Sequence, residues 1–316
     1  MDSAANSPFV LLPLRGSRRA GDPSPAGTVE LPSTVPVRGE APAARPPSDV
    51  LEKLRRKIAR IERPSLGPGG ARSGSEPLWR LGCPGMDALL PEGLETSSLH
   101  EIKAAYRGQG ASAGDWTAGL GFALRLAALR LDVAQRAGRP AFLLWCWPRP
   151  MAFELGRLSG RGLGQLGIDP ARVLMVETAR EAEALMALEE GMKSGALALA
   201  MGVFQSAGLN AARRLSLAAG EQRTPCLVIT HPAREAAAGC ATRWRIASAP
   251  SAPHPFDARA PGRPRFTASL ERCRARPQSA GLPPLLLEWC DETLRFRMAA
   301  ELASDAPVAR RARQSA

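Results

Sequence analysis

Five short apolar runs separated by helix-forming stretches dominate the middle of this sequence and set what it can fold into. The runs are Ser98–Lys103, Ala141–Cys146, Arg172–Val176, Ala196–Ala200 and Cys226–Ile229, each about as long as a strand. Between them lie Asp115–Ala137, closed by Gly138; Met151–Leu158; a segment running to Lys193 with Gly195 at its end; and Ala211–Ala219. The third helix opens on Thr178-Ala179-Arg180-Glu181, which reads as a capping box. Strands alternating with helices at this spacing predict right-handed βαβ units, hence a mostly parallel sheet flanked by helices. Beyond about residue 242 the helices stop and short strand-like segments take over. The last two, Leu285–Cys290 and Leu294–Met298 across Asp291-Glu292-Thr293, read as a hairpin. The expected core is α/β, residues 78–300, with antiparallel strands at its C-terminal end.

The flanks read differently. Residues 1–48 are rich in Pro, Ala, Ser and Gly without apolar periodicity, so they predict a disordered tail. Asp49, with Glu52 three positions later, opens an amphipathic helix over 49–63 that Pro64 ends. Leu51, Leu54, Ile58 and Ile61 follow heptad a/d spacing. Two heptads do not hold a coiled coil alone, so this helix docks on its own core or on a partner. Residues 64–77, with Gly67-Pro68-Gly69-Gly70, read as a linker, and 301–316 as a basic tail. The apolar runs Ala141–Trp147 and Ala196–Met201 are far shorter than the roughly 18 residues a membrane span needs. The stretch Phe9–Leu14 contains Pro13 and has its basic residues after it, unlike a secretory signal, so a cytoplasmic protein is expected. Cys83, Cys146, Cys226, Cys240, Cys273 and Cys290 show no close pairing and no His at zinc-ligand spacing, which predicts buried thiols and no metal.

The net charge of +12 comes almost entirely from arginine, since lysine stands only at Lys53, Lys57, Lys103 and Lys193. An excess of that size favours polyanionic partners, nucleic acid above all. Arginine with abundant Ala and Gly is also what GC-rich coding produces. In the C-terminal strands arginine recurs at every second position: Arg243 and Arg245; Arg272, Arg274 and Arg276; Arg295 and Arg297. Period 2 puts each set on one sheet face, with Trp244, Ile246, Leu294, Phe296 and Met298 on the other. With Arg259, Arg263 and Arg265 from the intervening loop, these residues form either a phosphate-contacting DNA surface or the solvated face of amphipathic strands.

Leu81-Gly82-Cys83-Pro84-Gly85-Met86-Asp87-Ala88-Leu89-Leu90, then Gly93-Leu94 and Leu99-His100-Glu101-Ile102, resemble the entry into the RecA-like recombinase core. Several further stretches make the whole chain similar to the ImuA family of damage-inducible mutagenesis proteins. They are the Ser98–Ile102 start, Leu166-Gly167-Ile168-Asp169-Pro170-Ala171-Arg172-Val173-Leu174, and the close Leu287-Glu288-Trp289-Cys290-Asp291 with Arg295-Phe296-Arg297. The resemblance implies a RecA-like fold. It also implies two partners, a Y-family polymerase-like protein and an error-prone replicative-type DNA polymerase, with RecA and DNA as further candidates.

The resemblance also marks what is missing. A RecA-like ATPase carries Gly-x-x-x-x-Gly-Lys-[Ser/Thr] after its first strand. Here the loop from Lys103 to Thr117 holds Gly108, Gly110, Gly114, Asp115, Trp116 and Thr117 in no such spacing. A carboxylate replaces the cation, and Asp115 is expected to cap the helix as its own anion. The Mg²⁺-binding aspartate expected after Ala196–Ala200 is replaced by Met201-Gly202-Val203. The acidic residue expected after the second strand is replaced by Trp145-Cys146-Trp147-Pro148. These losses predict a non-enzyme with no nucleotide cofactor. Two alternatives stay open: an ATPase with an unorthodox phosphate loop using Lys103 or Arg107, and a DNA-binding recombination mediator. Gly162-Leu163-Gly164-Gln165-Leu166-Gly167 matches a dinucleotide fingerprint but lacks the preceding strand and following helix, so it reads as a flexible turn. His231 reads as a capped or core histidine, and His100 and His254 receive no role.

Overall fold

The computed structural model describes residues 78–106, 111–251, 254, 256–257 and 259–299. The tail 1–48, the predicted helix 49–63 with Leu51, Leu54, Ile58 and Ile61, the linker, and 301–316 lie outside the described residues. The strands are β1 (Leu99–Ala104), β2 (Phe142–Pro148), β3 (Val173–Thr178), β4 (Leu197–Phe204), β5 (Cys226–Thr230), β6 (Thr242–Ala249), β7 (Arg265–Cys273), β8 (Leu285–Cys290) and β9 (Arg295–Met298). They form one sheet in the order β3-β2-β4-β5-β1-β6-β7-β8-β9. Strands β3 through β6 pair in parallel, and β6 through β9 pair antiparallel. The expected fold class is thus the observed one.

The helices are α1 (Pro84–Leu89), α2 (Ala113–Arg136), α3 (Arg149–Leu155), α4 (Gly160–Gln165), α5 (Glu181–Lys193) and α6 (Leu209–Gln222). Alternate residues of the parallel strands divide between two apolar layers. Ile102, Trp145, Met175, Met201 and Ile229 pack with α2 on one face. Leu99, Cys146, Val176, Ala200 and Val228 pack with α5 and α6 on the other. A strand covered on both faces needs apolar residues at every position, which is why these segments read as continuous runs. From β6 onward Trp244, Ile246, Phe266, Leu270, Trp289 and Phe296 join the α2 layer alone. On the opposite face the alternate positions are partly buried and ion-paired rather than apolar, so the sequence switches to apolar–arginine alternation at about residue 242.

Helix α2 is 24 residues long, about 36 Å, and packs across β2, β4, β5, β1 and β6. Toward the sheet, its Arg125 guanidinium lies 5.1 Å from the Phe266 ring and 5.3 Å from that of Trp289. Burial there brings its pKa down to about 10, so it stays cationic at neutral pH.

Local chemistry moves several expected boundaries. Strand β4 runs four residues past Ala200, pairing with β5 through Phe204, and Gly202 within it lies where a Cβ would stand 2.5 Å from the Phe204 ring and 2.9 Å from the Cys146 carbonyl oxygen. The capping box at Thr178 is not formed: Thr178 ends β3 and donates to the Arg180 carbonyl, while Arg180 caps α5 and Glu183 accepts its amide. The glycine-rich 162–167 stretch is largely the short helix α4, ended by Gly167 at φ +78°, rather than a loose turn. All six cysteines are free and buried, with Cys146 and Cys226 pushed well above the usual thiol range by burial.

Candidate functional site

Helix α2 follows β1 across the position of a phosphate loop, at the carboxyl ends of the parallel strands where ligands of such sheets bind. Of the loop glycines, Gly108 and Gly110 fall outside the described residues, and Gly114 is the second residue of α2. The helix cap is Ser112, not Asp115: Ser112 Oγ accepts from the Asp115 amide at 3.1 Å. Asp115 stands one turn inside and is 2 % exposed. Its Oδ1 accepts from the Ser248 amide at 2.8 Å and Ser248 Oγ at 2.9 Å, and its Oδ2 from Ser112 Oγ at 2.8 Å. The sequence reading makes Asp115 the N-cap itself; the structure gives that position to Ser112 and sets Asp115 third in the helix. The Asp115 carboxylate ties the first turn of α2 to β6, and the positive helix end already holds a negative group. Trp116 fills the next position, its ring 5.8 Å from that of His231. Thr117 returns its hydroxyl to the Ala113 carbonyl.

The cation at the end of β1 is committed as well. Lys103 is 1 % exposed and donates to the carbonyls of His231 at 3.0 Å and Arg234 at 2.9 Å. Burial holds its ammonium below the usual lysine range, with Glu101, 3.8 Å away, opposing that shift. His231 is half-buried, and its Nδ1 accepts from the Ala233 amide. Burial and then Arg234 hold its imidazole below the ordinary value.

Glu101, which sequence reasoning passed over, is fully buried at the centre of this network. It accepts from Thr230 Oγ1 at 2.6 Å, the Ala237 amide at 3.0 Å and Arg243 Nε at 2.6 Å. The available signal was a carboxylate inside an apolar strand, which requires a partner. His100 is equally buried, between Thr242 Oγ1 and the Glu95 carbonyl, both at 2.8 Å.

At the other strand ends, Met201-Gly202-Val203 and Trp145-Cys146-Trp147-Pro148 lie within β4 and β2 rather than after them. Gln205 and Ser206 follow β4, and their amides donate to Glu181 at the start of α5, at 2.7 and 3.2 Å. Among the described residues no group of three or more His, Cys, Asp or Glu side chains is placed to hold a metal.

The arginines of β6 and β7 lie on the sheet face opposite α2, and carboxylates meet most of the candidate arginines. Arg243 pairs with Glu101, Arg245 with Glu271, Arg263 with Glu288 and Glu292, and Arg265 with Glu288. Arg295 reaches from edge strand β9 to Asp132 of α2, and Arg272 donates to the Cys240 carbonyl. Arg297 is exposed on β9 opposite Glu288. The alternation expected through Arg274 and Arg276 stops at Cys273, because β6 begins opposite it at Thr242. Arg274 turns to Glu95 and Ser98, and Arg276 leads into the 3-10 turn Pro277–Ser279. Arg259 lies in the loop before β7.

No protein-family model matches this chain. It is 31 % identical over 210 residues to Protein ImuA of Caulobacter vibrioides strain NA1000 / CB15N, a match covering 63 % of this chain and 79 % of that protein. Protein ImuA of strain ATCC 19089 / CIP 103742 / CB 15 matches to the same extent. Among the described residues no helix is long and apolar enough to cross a membrane.

Proposed function

The chain belongs to the ImuA family, and from that premise we propose that it serves DNA-damage-induced mutagenic synthesis as a non-catalytic, RecA-like platform in the cytoplasm. Its partners in this reading are a Y-family polymerase-like protein and an error-prone replicative-type DNA polymerase, brought together on damaged DNA. One observation carries the non-catalytic half: the helix end that would grip a polyphosphate is tied by buried Asp115 to Ser112 and Ser248. A triphosphate there would meet like charge and would have to break three hydrogen bonds.

DNA contact, if made through the strand arginines, competes with the carboxylates that already hold most of them. That favours protein docking over DNA binding as the main role. The helix 49–63 is the proposed partner contact, through Leu54 and Ile58.

The test is genetic and biochemical. Deleting the gene is expected to lower mutation frequency after ultraviolet damage, and the wild-type chain to restore it. Leu54→Glu with Ile58→Glu is expected to abolish both restoration and co-purification of the polymerase-like partner, with circular dichroism unchanged. A deletion strain with unaltered mutation frequency overturns the role, and intact co-purification of the double variant overturns the contact.

A further inference from the structure

The hairpin between β8 and β9 turns on Leu294, a non-glycine residue in the left-handed region at φ +51°. Hairpin chemistry would favour glycine or asparagine there, so a leucine costs about 1 kcal/mol and its side chain has to compensate. That side chain seats on Gly167, where an added Cβ would stand 2.5 Å from Leu294 Cδ1. The hairpin tip thereby closes one wall of a cavity of about 160 Å³ against α2 and the turn before β3.

The cavity has an apolar floor and a charged rim. Buried Ala128, Leu131 and Ala141 line the floor, Leu166 and Leu294 the wall, and Arg136, Arg172 and Arg295 stand on the rim with Asp132 and Asp169. Asp132 is shared between Arg136 at 2.9 Å and Arg295 at 2.6 Å, while Asp169 holds Arg172 at 3.6 Å. Three guanidiniums against two carboxylates leave the rim one positive charge in excess. Arg136 and Arg172 remain 73 % and 40 % exposed in their side chains, with donors to offer.

We propose that this cavity is a docking site for an acidic, leucine-bearing segment of a protein partner: an apolar side chain enters the floor and a neighbouring carboxylate bridges Arg136 and Arg172. The small volume suits one side chain, and a nucleic-acid backbone would set phosphates against Asp132 and Asp169. The inference rests on the reading of the chain as a platform. Its test needs no polymerase, so failure here leaves the mutagenesis role standing.

The probe is a fluorescein-labelled peptide Asp-Leu-Asp-Leu-Asp, titrated with the full chain by fluorescence anisotropy beside its Asn-Leu-Asn-Leu-Asn twin. The acidic peptide is expected to bind about tenfold tighter than the twin, as a charge-assisted hydrogen bond or two would give. Arg136→Glu and Arg172→Glu are each expected to remove that advantage. Leu294→Gly, which relieves the backbone strain and empties the wall, is expected to weaken both peptides while the circular dichroism stays native. Equal binding of the two peptides overturns the proposal, as does indifference to the charge reversals. Displacement of the acidic peptide by oligothymidylate or by inorganic phosphate at equal concentration overturns it too, making the cavity a general anion site.

Discussion

Glu101 shows how a single buried carboxylate organises the end of β1. It neutralises Arg243, stands beside Lys103, and holds Thr230 and the Ala237 amide, so three segments distant in sequence depend on it. Removing one member of a buried ionic network leaves the other charges uncompensated. Glu101→Gln is therefore expected to cost about 3–5 kcal/mol in urea unfolding. Glu101→Leu combined with Arg243→Met is expected to cost less than the single change, and a single variant within about 1 kcal/mol of wild type contradicts the network.

His100 supplies a second test at this scale. Burial holds its folded pKa below the ordinary value of 6.5, so below that value the unfolded chain binds the proton and the folded one resists it. Its contribution is present above pH 6.5 and lost as the pH falls through the folded pKa. Unfolding midpoints are expected to drop as the pH falls below about 6.5, and His100→Gln to flatten that slope. Glu95, where Ser98 and Arg274 outweigh the upward push of burial, has a lowered pKa, so its contribution is complete above its ordinary 4.5 and is lost only as the pH falls below that value.

At the scale of elements, the strand-and-helix order of the core was legible because two-sided burial writes itself as continuous apolar runs. Boundaries were less legible. Thr178 and Asp115 both have a capping side chain in a plausible register, yet Arg180 and Ser112 occupy the caps. Which residue caps depends on where the preceding strand stops pairing and on Ser248, more than a hundred residues away. The partners of the strand arginines were hidden for the same reason: their carboxylates, Glu95, Glu101 and Asp132, come from elements that only the fold brings near.

Two substitutions test these element ends. Asp115→Ala strands the Ser248 amide and loosens α2 from β6, and is expected to cost about 3 kcal/mol by thermal or urea unfolding. Arg223 sits at the C-terminal cap of α6 with φ +51°. Glycine adopts that conformation freely, so Arg223→Gly is expected to stabilise the protein by about 0.5–1 kcal/mol. A loss of stability in that variant would mean that the arginine side chain does more than cap.

Across the whole molecule, the sheet passes from a parallel half with apolar layers on both faces to an antiparallel half where apolar residues alternate with arginines. At the strand ends of the parallel half, the start of α2, the Lys103 ammonium and the amides after β4 are all satisfied from within, through Asp115, the His231 and Arg234 carbonyls, and Glu181. The antiparallel half carries an arginine face that carboxylates largely neutralise, so the chain's basic excess does not translate directly into a DNA surface. Salt dependence checks this: a gel-shift affinity nearly flat between about 50 and 200 mM salt is expected, whereas many phosphate contacts would produce a steep loss. The most direct measurement is an equilibrium titration of the full chain with labelled ATP and Mg²⁺, followed by phosphate release. No saturable binding below the millimolar range and no release above buffer are expected; tight binding with turnover would contradict the platform reading outright.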